Sequence, residues 1–419
     1  MATHVPYRRL VQLAGLPFLL VGFLARLPAS MGQMGTLVLV SQAAGSYAVG
    51  GAVAGVLGVA TALGSPVFGA LTDRYGQRRI ILAQSLVSAV GFLGVVAGAT
   101  SGTVWAIVLS AAVAGFCVPQ VGVMARVRWR ALLHDVARGR ARDPRLARTP
   151  AESAEDRLTT AYAYESVVDE LGFVLGPALV GLTAALADPA LALLSVSGLL
   201  LVFGTAFAVH PTVRRVRRGA TGMGGTRGPV AGLLVVAVAM FGLGCLFGSL
   251  QTTTTAFAGE QGDPGLAGLL YALSGVGSAL AGFAVPRLPA GWGLLGRLRI
   301  FALLMVPLSV PLVLATGVVG YGGALLVLGT AMAPYMITCY TLVERVVRPE
   351  QLGAATSLLP ATVNIGYAIS AAVAGVASDA AGSRGALLAV LGVVALMNLV
   401  AWAGGRWLRA AMGSRTARA

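Results

Sequence analysis

GALTDRYGQRRI, residues 69–80, sets one acid, three arginines and two glycines inside some of the most apolar sequence a protein can carry. Its flanks decide how it reads. GGAVAGVLGVATALGSPVF (50–68) precedes it and ILAQSLVSAVGFLGVVAG (81–98) follows it, and each is near the 20 or so apolar residues that cross a bilayer. A short charged stretch between two such runs reads as a tight turn at a membrane surface.

The same alternation fills the chain. Of 419 residues, 57% are hydrophobic and 11% charged, with a mean hydropathy of +0.83, whereas soluble domains carry about a quarter charged residues. An ordinary soluble globule is excluded. Twelve spans are expected, over 14–40, 48–72, 80–98, 103–124, 163–187, 190–209, 230–256, 265–286, 298–316, 321–342, 353–377 and 385–405. Lipid offers no hydrogen bonds, so each should be a helix, and the alternating pattern of barrel strands is absent. The fold class is an all-α polytopic membrane protein.

Every one of the 30 basic residues is arginine, and 28 of them fall in alternate connections or at the two chain ends. With the N-terminus inside, those segments are cytoplasmic, as the positive-inside rule requires. The exceptions are Arg26, within span 1, and Arg384, in the last outer connection. A net charge of +15 therefore reads as orientation and contact with anionic lipid on the cytoplasmic side. Nucleic acid is not an expected partner, since no basic groove interleaved with aromatics is present. The expected location is the cell membrane, multi-pass, with both termini cytoplasmic and the first run retained as a helix rather than cleaved as a signal peptide.

Cys117, Cys245 and Cys339 are scattered inside apolar runs and read as packing residues. His4, His134 and His210 are never paired, so neither a metal site, a cofactor nor a catalytic triad is expected. No Walker motif suggests ATP drive. The chain reads as a monomeric non-enzyme.

The Arg- and Gly-rich stretch 211–229 divides the spans six and six, giving halves at 1–210 and 230–419 around a cytoplasmic linker. A shift of 194 lays YESVVDELGFVLGPALVG (164–181) on LLPATVNIGYAISAAVAG (358–375), matching Gly172 with Gly366 and Gly181 with Gly375, and Glu170 with Asn364. Two related six-helix halves leave such a trace. Small residues throughout the spans let helix backbones approach closely, and prolines within them permit kinks.

GALTDRYGQRRI resembles the G-x-L-[AS]-D-R-x-G-R-[RK]-[RK] turn of major facilitator superfamily transporters, with Thr72 and Gln77 as departures. The resemblance covers essentially the whole chain and extends to bacterial, actinobacterial-type drug and metabolite exporters. It implies two pseudo-symmetric six-helix bundles and a conformational latch at Gly69, Asp73, Arg74, Gly76, Arg78 and Arg79. In the family this turn latches the halves in the outward-facing state against the start of span 11, here near 349–352. Span 5 resembles the family's antiporter motif through Gly172, Gly176, Pro177 and Gly181, with Ala163 and Val180 where glycines are usual. The helix 4 arginine linked to proton coupling is missing: Ala111 stands four residues before Gly115.

Arg26 in mid-span must find an acid, a carbonyl, water or a substrate anion. Span 5 holds Glu165 and Asp169 on one face at i and i+4, with Glu170 about 100° further round. One reading makes Arg26, Glu165, Asp169 and Glu170 a proton-coupling group, with Asp169 and Glu170 favoured as the deeper pair. The other has the acids pairing with loop arginines such as Arg128 or Arg157 at the mouth. Cavity candidates are Gln33, Gln120, Gln251 with Thr252 to Thr255, Tyr335, Tyr340 and Asn364, though each alone is more often a helix-to-helix hydrogen bond. The expected activity is export of a small lipophilic or weakly ionic molecule by proton antiport, with a proton-coupled importer or a non-transporting receptor as alternatives.

Overall fold

The computed structural model describes residues 7–137, 154–216, 230–289, 291–347 and 352–416. Among them the chain is helical, with no strand. Eleven helical stretches are long and apolar enough to cross a membrane. The last, Leu358–Ala403, is two spans in one: the helix Leu352–Ala403 leaves helical geometry at Ala381 (φ −144°) and Gly382 (φ +66°). Twelve spans result, a multi-pass membrane protein.

Span 1 (Leu16–Ala44), span 2 (Tyr47–Tyr75), span 3 (Gln77–Ser101), span 4 (Val104–Leu133), span 5 (Thr160–Leu186) and span 6 (Pro189–Val209) pack on one another. Span 7 (Ala231–Glu260), span 8 (Leu266–Ala284), span 9 (Leu294–Leu314), span 10 (Val318–Val346) and spans 11 and 12 form the second set. The outer faces carry exposed Leu63, Val90, Leu109, Leu280, Val376 and Leu388, apolar side chains that a bilayer, and not water, would cover.

Two spans are broken at prolines. In span 1 the helix Leu16–Leu24 ends and Leu27–Ala44 begins, because Pro28 has no N–H for the Leu24 carbonyl. Arg26 stands at that break. In span 4, Val118 before Pro119 takes extended dihedrals (ψ 122°), as the residue preceding proline prefers. A second helix then runs Val121–Ala137. Arg128, expected among the loop arginines, therefore lies in a helix. The buried residues of this helix, Met124, Ala125, Arg128, Trp129, Leu132 and Leu133, recur at the helical spacing of one face.

The two sets meet along spans 2 and 11 and spans 5 and 8. At the arginine-poor end they touch backbone to backbone: a Cβ at Gly51 would lie 2.3 Å from the Ala371 carbonyl oxygen, and one at Gly268 only 2.1 Å from that of Pro177. Toward the arginine-rich end such contacts are absent among the described residues. A Cβ at Gly69 or Gly172 would meet no atom within 4 Å, and Leu358, Leu171 and Phe173 are exposed. The molecule is closed at one face and parted at the other.

Candidate functional site

Arg26, 9% exposed, is carried inward by the span 1 break. Its Nη2 donates to Glu165 Oε2, and its Nε lies 3.2 Å from Asp169 Oδ1. Glu165, only 1% exposed, also accepts a 2.5 Å hydrogen bond from Trp129 Nε1. The other oxygen of Asp169 accepts a 2.7 Å bond from Arg126 Nη2. Two arginines and two acids thus join spans 1, 4 and 5. A buried charge is tolerated only when paired and hydrogen-bonded, and each of these four has a partner of opposite sign.

The members differ in access. Glu165 is sealed, whereas the side chains of Asp169 and Arg126 are 32% and 33% exposed, on the parted side of the molecule. Tyr340, half-buried on span 10 of the other set, is within electrostatic reach of both. Gly122 makes the cluster possible: a Cβ there would lie 3.0 Å from Asp169 Oδ1 and 3.3 Å from Arg26 Nε. Glu170 is half-buried, with no hydrogen bond or ion pair among the described residues.

Of the expected coupling group, Arg26, Glu165 and Asp169 are brought together and Glu170 stands apart. The shallower Glu165, ranked below Asp169 and Glu170, is the most tightly held, because Trp129 and Arg26 enclose it. Arg126 and Trp129 were missed. They sit in an arginine-rich run that reads as loop, and only the four-residue recurrence of its apolar positions signals a helix.

Arg128 does not pair with span 5. It is fully buried, donating from Nε to Gln77 Oε1 at 2.9 Å and from Nη1 to the Phe207 carbonyl oxygen at 2.7 Å and Thr212 Oγ1 at 3.3 Å. Its guanidinium also lies 3.8 Å from the Phe207 ring centroid, a cation–π contact.

The cavity candidates divide. Gln33 donates to Asn364 Oδ1 at 3.1 Å, joining spans 1 and 11. Gln120 lies half-buried at the span 4 break. Gln251 and Tyr335 do not line the gap: both are buried inside the second set, where Gln251 accepts from Tyr367 at 2.6 Å and Tyr335 reaches the Ala239 carbonyl. Thr253, Thr254 and Thr255 turn back onto carbonyls four residues earlier, and Thr252 onto that of Ala371.

The span 5 motif serves helix contact. A Cβ at Gly176 would meet Ser30 Oγ at 2.1 Å, and one at Gly181 the Leu269 nitrogen at 2.6 Å. Gly172 offers its carbonyl to Ser30 Oγ at 2.8 Å. In the 69–80 turn, Gly76 has φ +88°, where only glycine is unstrained. Arg78 and Arg79 are exposed, and Arg74 lies over the Tyr75 ring at 5.3 Å. Of the expected partner segment 349–352, residues 349–351 lie outside the described residues, as does His4, and Leu352 opens the span 11 helix.

No family model and no curated protein matches the sequence. Solved structures match it in fold. The nucleoside transporter NupG superposes with TM-score 0.70 at 15% identity, over 94% of this chain and 98% of its own. A bacterial homologue of the human lysosomal transporter Spinster, in an inward-facing and occupied conformation, gives 0.65 at 14%, over 99% and 98%. The inward open xylose transporter XylE from E. coli gives 0.62 at 14%, over 96% of each. The chain has the all-α fold of major facilitator transporters, and these neighbours are transporters rather than enzymes.

Proposed function

We propose that this chain is a secondary transporter that exports a small lipophilic or weakly ionic molecule across the cell membrane in exchange for protons. Its halves, 1–210 and 230–419, rock about the 211–229 linker, and both termini face the cytoplasm. The arrangement that carries the reading is Asp169 suspended between Arg26 and Arg126 at the edge of the gap. Protonation would cancel the charge that holds both arginines, freeing Arg126 and leaving Arg26 on Glu165 alone. A substrate or proton arriving there changes how spans 1, 4 and 5 are tied.

Each element has a part. Arg26 and Glu165 anchor the cluster, Asp169 and Glu170 exchange protons, and Gln33, Gln120, Tyr340 and Asn364 meet the substrate. The 69–80 turn closes the arginine-rich face in the alternate state. Export, rather than import, rests on the span 5 glycine and proline pattern.

The test begins with a growth-inhibition screen of toxic lipophilic compounds, with and without the protein at two pH values, and continues in proteoliposomes with the compound it selects. Asp169→Asn with Glu170→Gln should abolish exchange driven by a pH gradient while leaving exchange at equal pH measurable. Normal coupling in that double variant would remove span 5 from the mechanism.

A further inference from the structure

Asp379, at the arginine-poor end of span 11, accepts from three donors at the start of span 2: Ser46 Oγ at 2.5 Å, the Tyr47 nitrogen at 2.7 Å and the Ala48 nitrogen at 3.0 Å. The two nitrogens are unpaired amides of a first helical turn, where the helix dipole presents positive charge. These bonds cross from one half of the molecule to the other, at the face where the halves touch. Gly375, one turn earlier, brings the backbones together there, since a Cβ would lie 2.3 Å from the Tyr47 carbonyl oxygen.

The sequence around Asp379 repeats the turn that follows span 2. GVASDAAGSR (375–384) aligns without gaps on GALTDRYGQR (69–78). Gly375 meets Gly69, Ser378 meets Thr72, Asp379 meets Asp73, Gly382 meets Gly76 and Arg384 meets Arg78. The backbones agree, with φ of +66° at Gly382 and +88° at Gly76. The buried hydroxyls of Ser378 and Thr72 both lack a hydrogen-bond partner. The two copies end neighbouring spans on opposite faces of the membrane, as an inverted-topology repeat requires.

Among the described residues only one copy is engaged. Asp379 is seated on span 2, whereas Asp73 makes no hydrogen bond or ion pair among the described residues and a Cβ at Gly69 or Gly76 would meet nothing within 4 Å.

We propose that Asp379 is a second latch, the inverted counterpart of Asp73, that holds the halves together at the arginine-poor face and releases when that face opens. The balance between the two closed faces then depends on which carboxylate has its helix terminus. This rests on the two halves moving, and not on the substrate or the coupling ion.

The experiment is a distance measurement by pulsed electron spin resonance on the full chain in nanodiscs, with Cys117, Cys245 and Cys339 replaced by alanine. Spin labels go on cysteines at Thr103 and Thr316, both exposed connections at the arginine-poor face, one in each half. Asp379→Asn, which removes the charge facing the span 2 helix terminus, should raise the ratio of long-distance to short-distance populations about two- to fivefold, the worth of a carboxylate charge at a helix N-terminus. Ser46→Ala, which removes one hydroxyl, should shift it the same way by less, and carries the test if Asp379→Asn does not fold. Asp73→Asn should shift it oppositely, and the Asp73, Asp379 double variant should return toward the parent. Unchanged distributions in both Asp379→Asn and Ser46→Ala, or a shift toward the short distance, would overturn the latch. No substrate or gradient is present, so that result would leave the transport reading standing.

Discussion

Gln77 Oε1 accepts a 2.9 Å hydrogen bond from Nε of Arg128. One residue opens span 3 within the 69–80 stretch, and the other lies in the second half of span 4. The bond accounts for a departure from the pattern that the 69–80 turn resembles, which has arginine at position 77. Arg128 is buried, with Nη1 on a carbonyl and a hydroxyl, Nη2 without a hydrogen-bond partner and no acid among the described residues, so a neutral acceptor at 77 suits it and a second cation would repel it.

Placing arginine at position 77 should therefore harm this protein. Gln77→Arg is expected to lower the apparent thermal midpoint of the detergent-purified chain more than Gln77→Met does. Gln77→Met itself costs at least about 1–3 kcal/mol, the penalty of leaving a buried donor unpaired, which is larger when the donor is charged. Differential scanning fluorimetry on the three proteins checks the order, and a more stable Gln77→Arg would refute it.

The two acids of the cluster should separate stability from coupling. Glu165→Gln leaves Arg26 only Asp169, at 3.2 Å, and breaking a buried pair costs about 3–5 kcal/mol. Asp169→Asn, at a half-exposed position, should cost less stability and more pH-driven exchange. Thermal midpoints and proteoliposome exchange on both variants decide it, and equal effects on both readouts would contradict the assignment.

The glycine contacts should set which face can close. Gly51→Leu and Gly268→Leu put side chains into backbone only 2.3 and 2.1 Å from the new Cβ, so the arginine-poor face cannot shut. Cysteines at that face should then react faster with an impermeant maleimide than in the parent. Gly69→Ala meets no atom and should leave the labelling rate unchanged.

His210 should make stability fall in mild acid. Burial and the nearby Arg128 guanidinium both hold its imidazole below the usual 6.5. The unfolded chain therefore binds the proton more readily than the folded one. Stability is full above pH 6.5 and declines as pH falls through 6.5 toward the lowered value, beyond which this contribution levels off. His210→Asn should flatten the change in thermal midpoint between about pH 7.5 and 5.5. An unaltered slope would assign the effect elsewhere.

Much of this was legible in the residues. The 69–80 turn, twelve crossings, a helical fold and an unusual Arg26 all follow from local hydropathy and charge. Arg26 was expected to seek a partner such as the span 5 acids, because a lone charge in lipid is costly enough to demand one, and it meets Glu165 and Asp169. Arg126, Arg128 and Trp129 were not legible, since arginines after a proline look like the start of a loop. Only burial shows that Arg128 and Trp129 face inward while Arg126 turns to the gap. Gln251 and Tyr335 misled for the converse reason, being polar groups within apolar helices whose partners lie inside their own bundle.

The sequence alone determined how many times the chain crosses the bilayer and where it turns, because membrane partitioning is a sum over neighbouring residues. Only the tertiary structure decided that Glu165 rather than Glu170 takes Arg26, and which face is shut. Those outcomes depend on the direction a proline break gives a helix and on groups 139 positions apart meeting in space, and no local sum of preferences contains either.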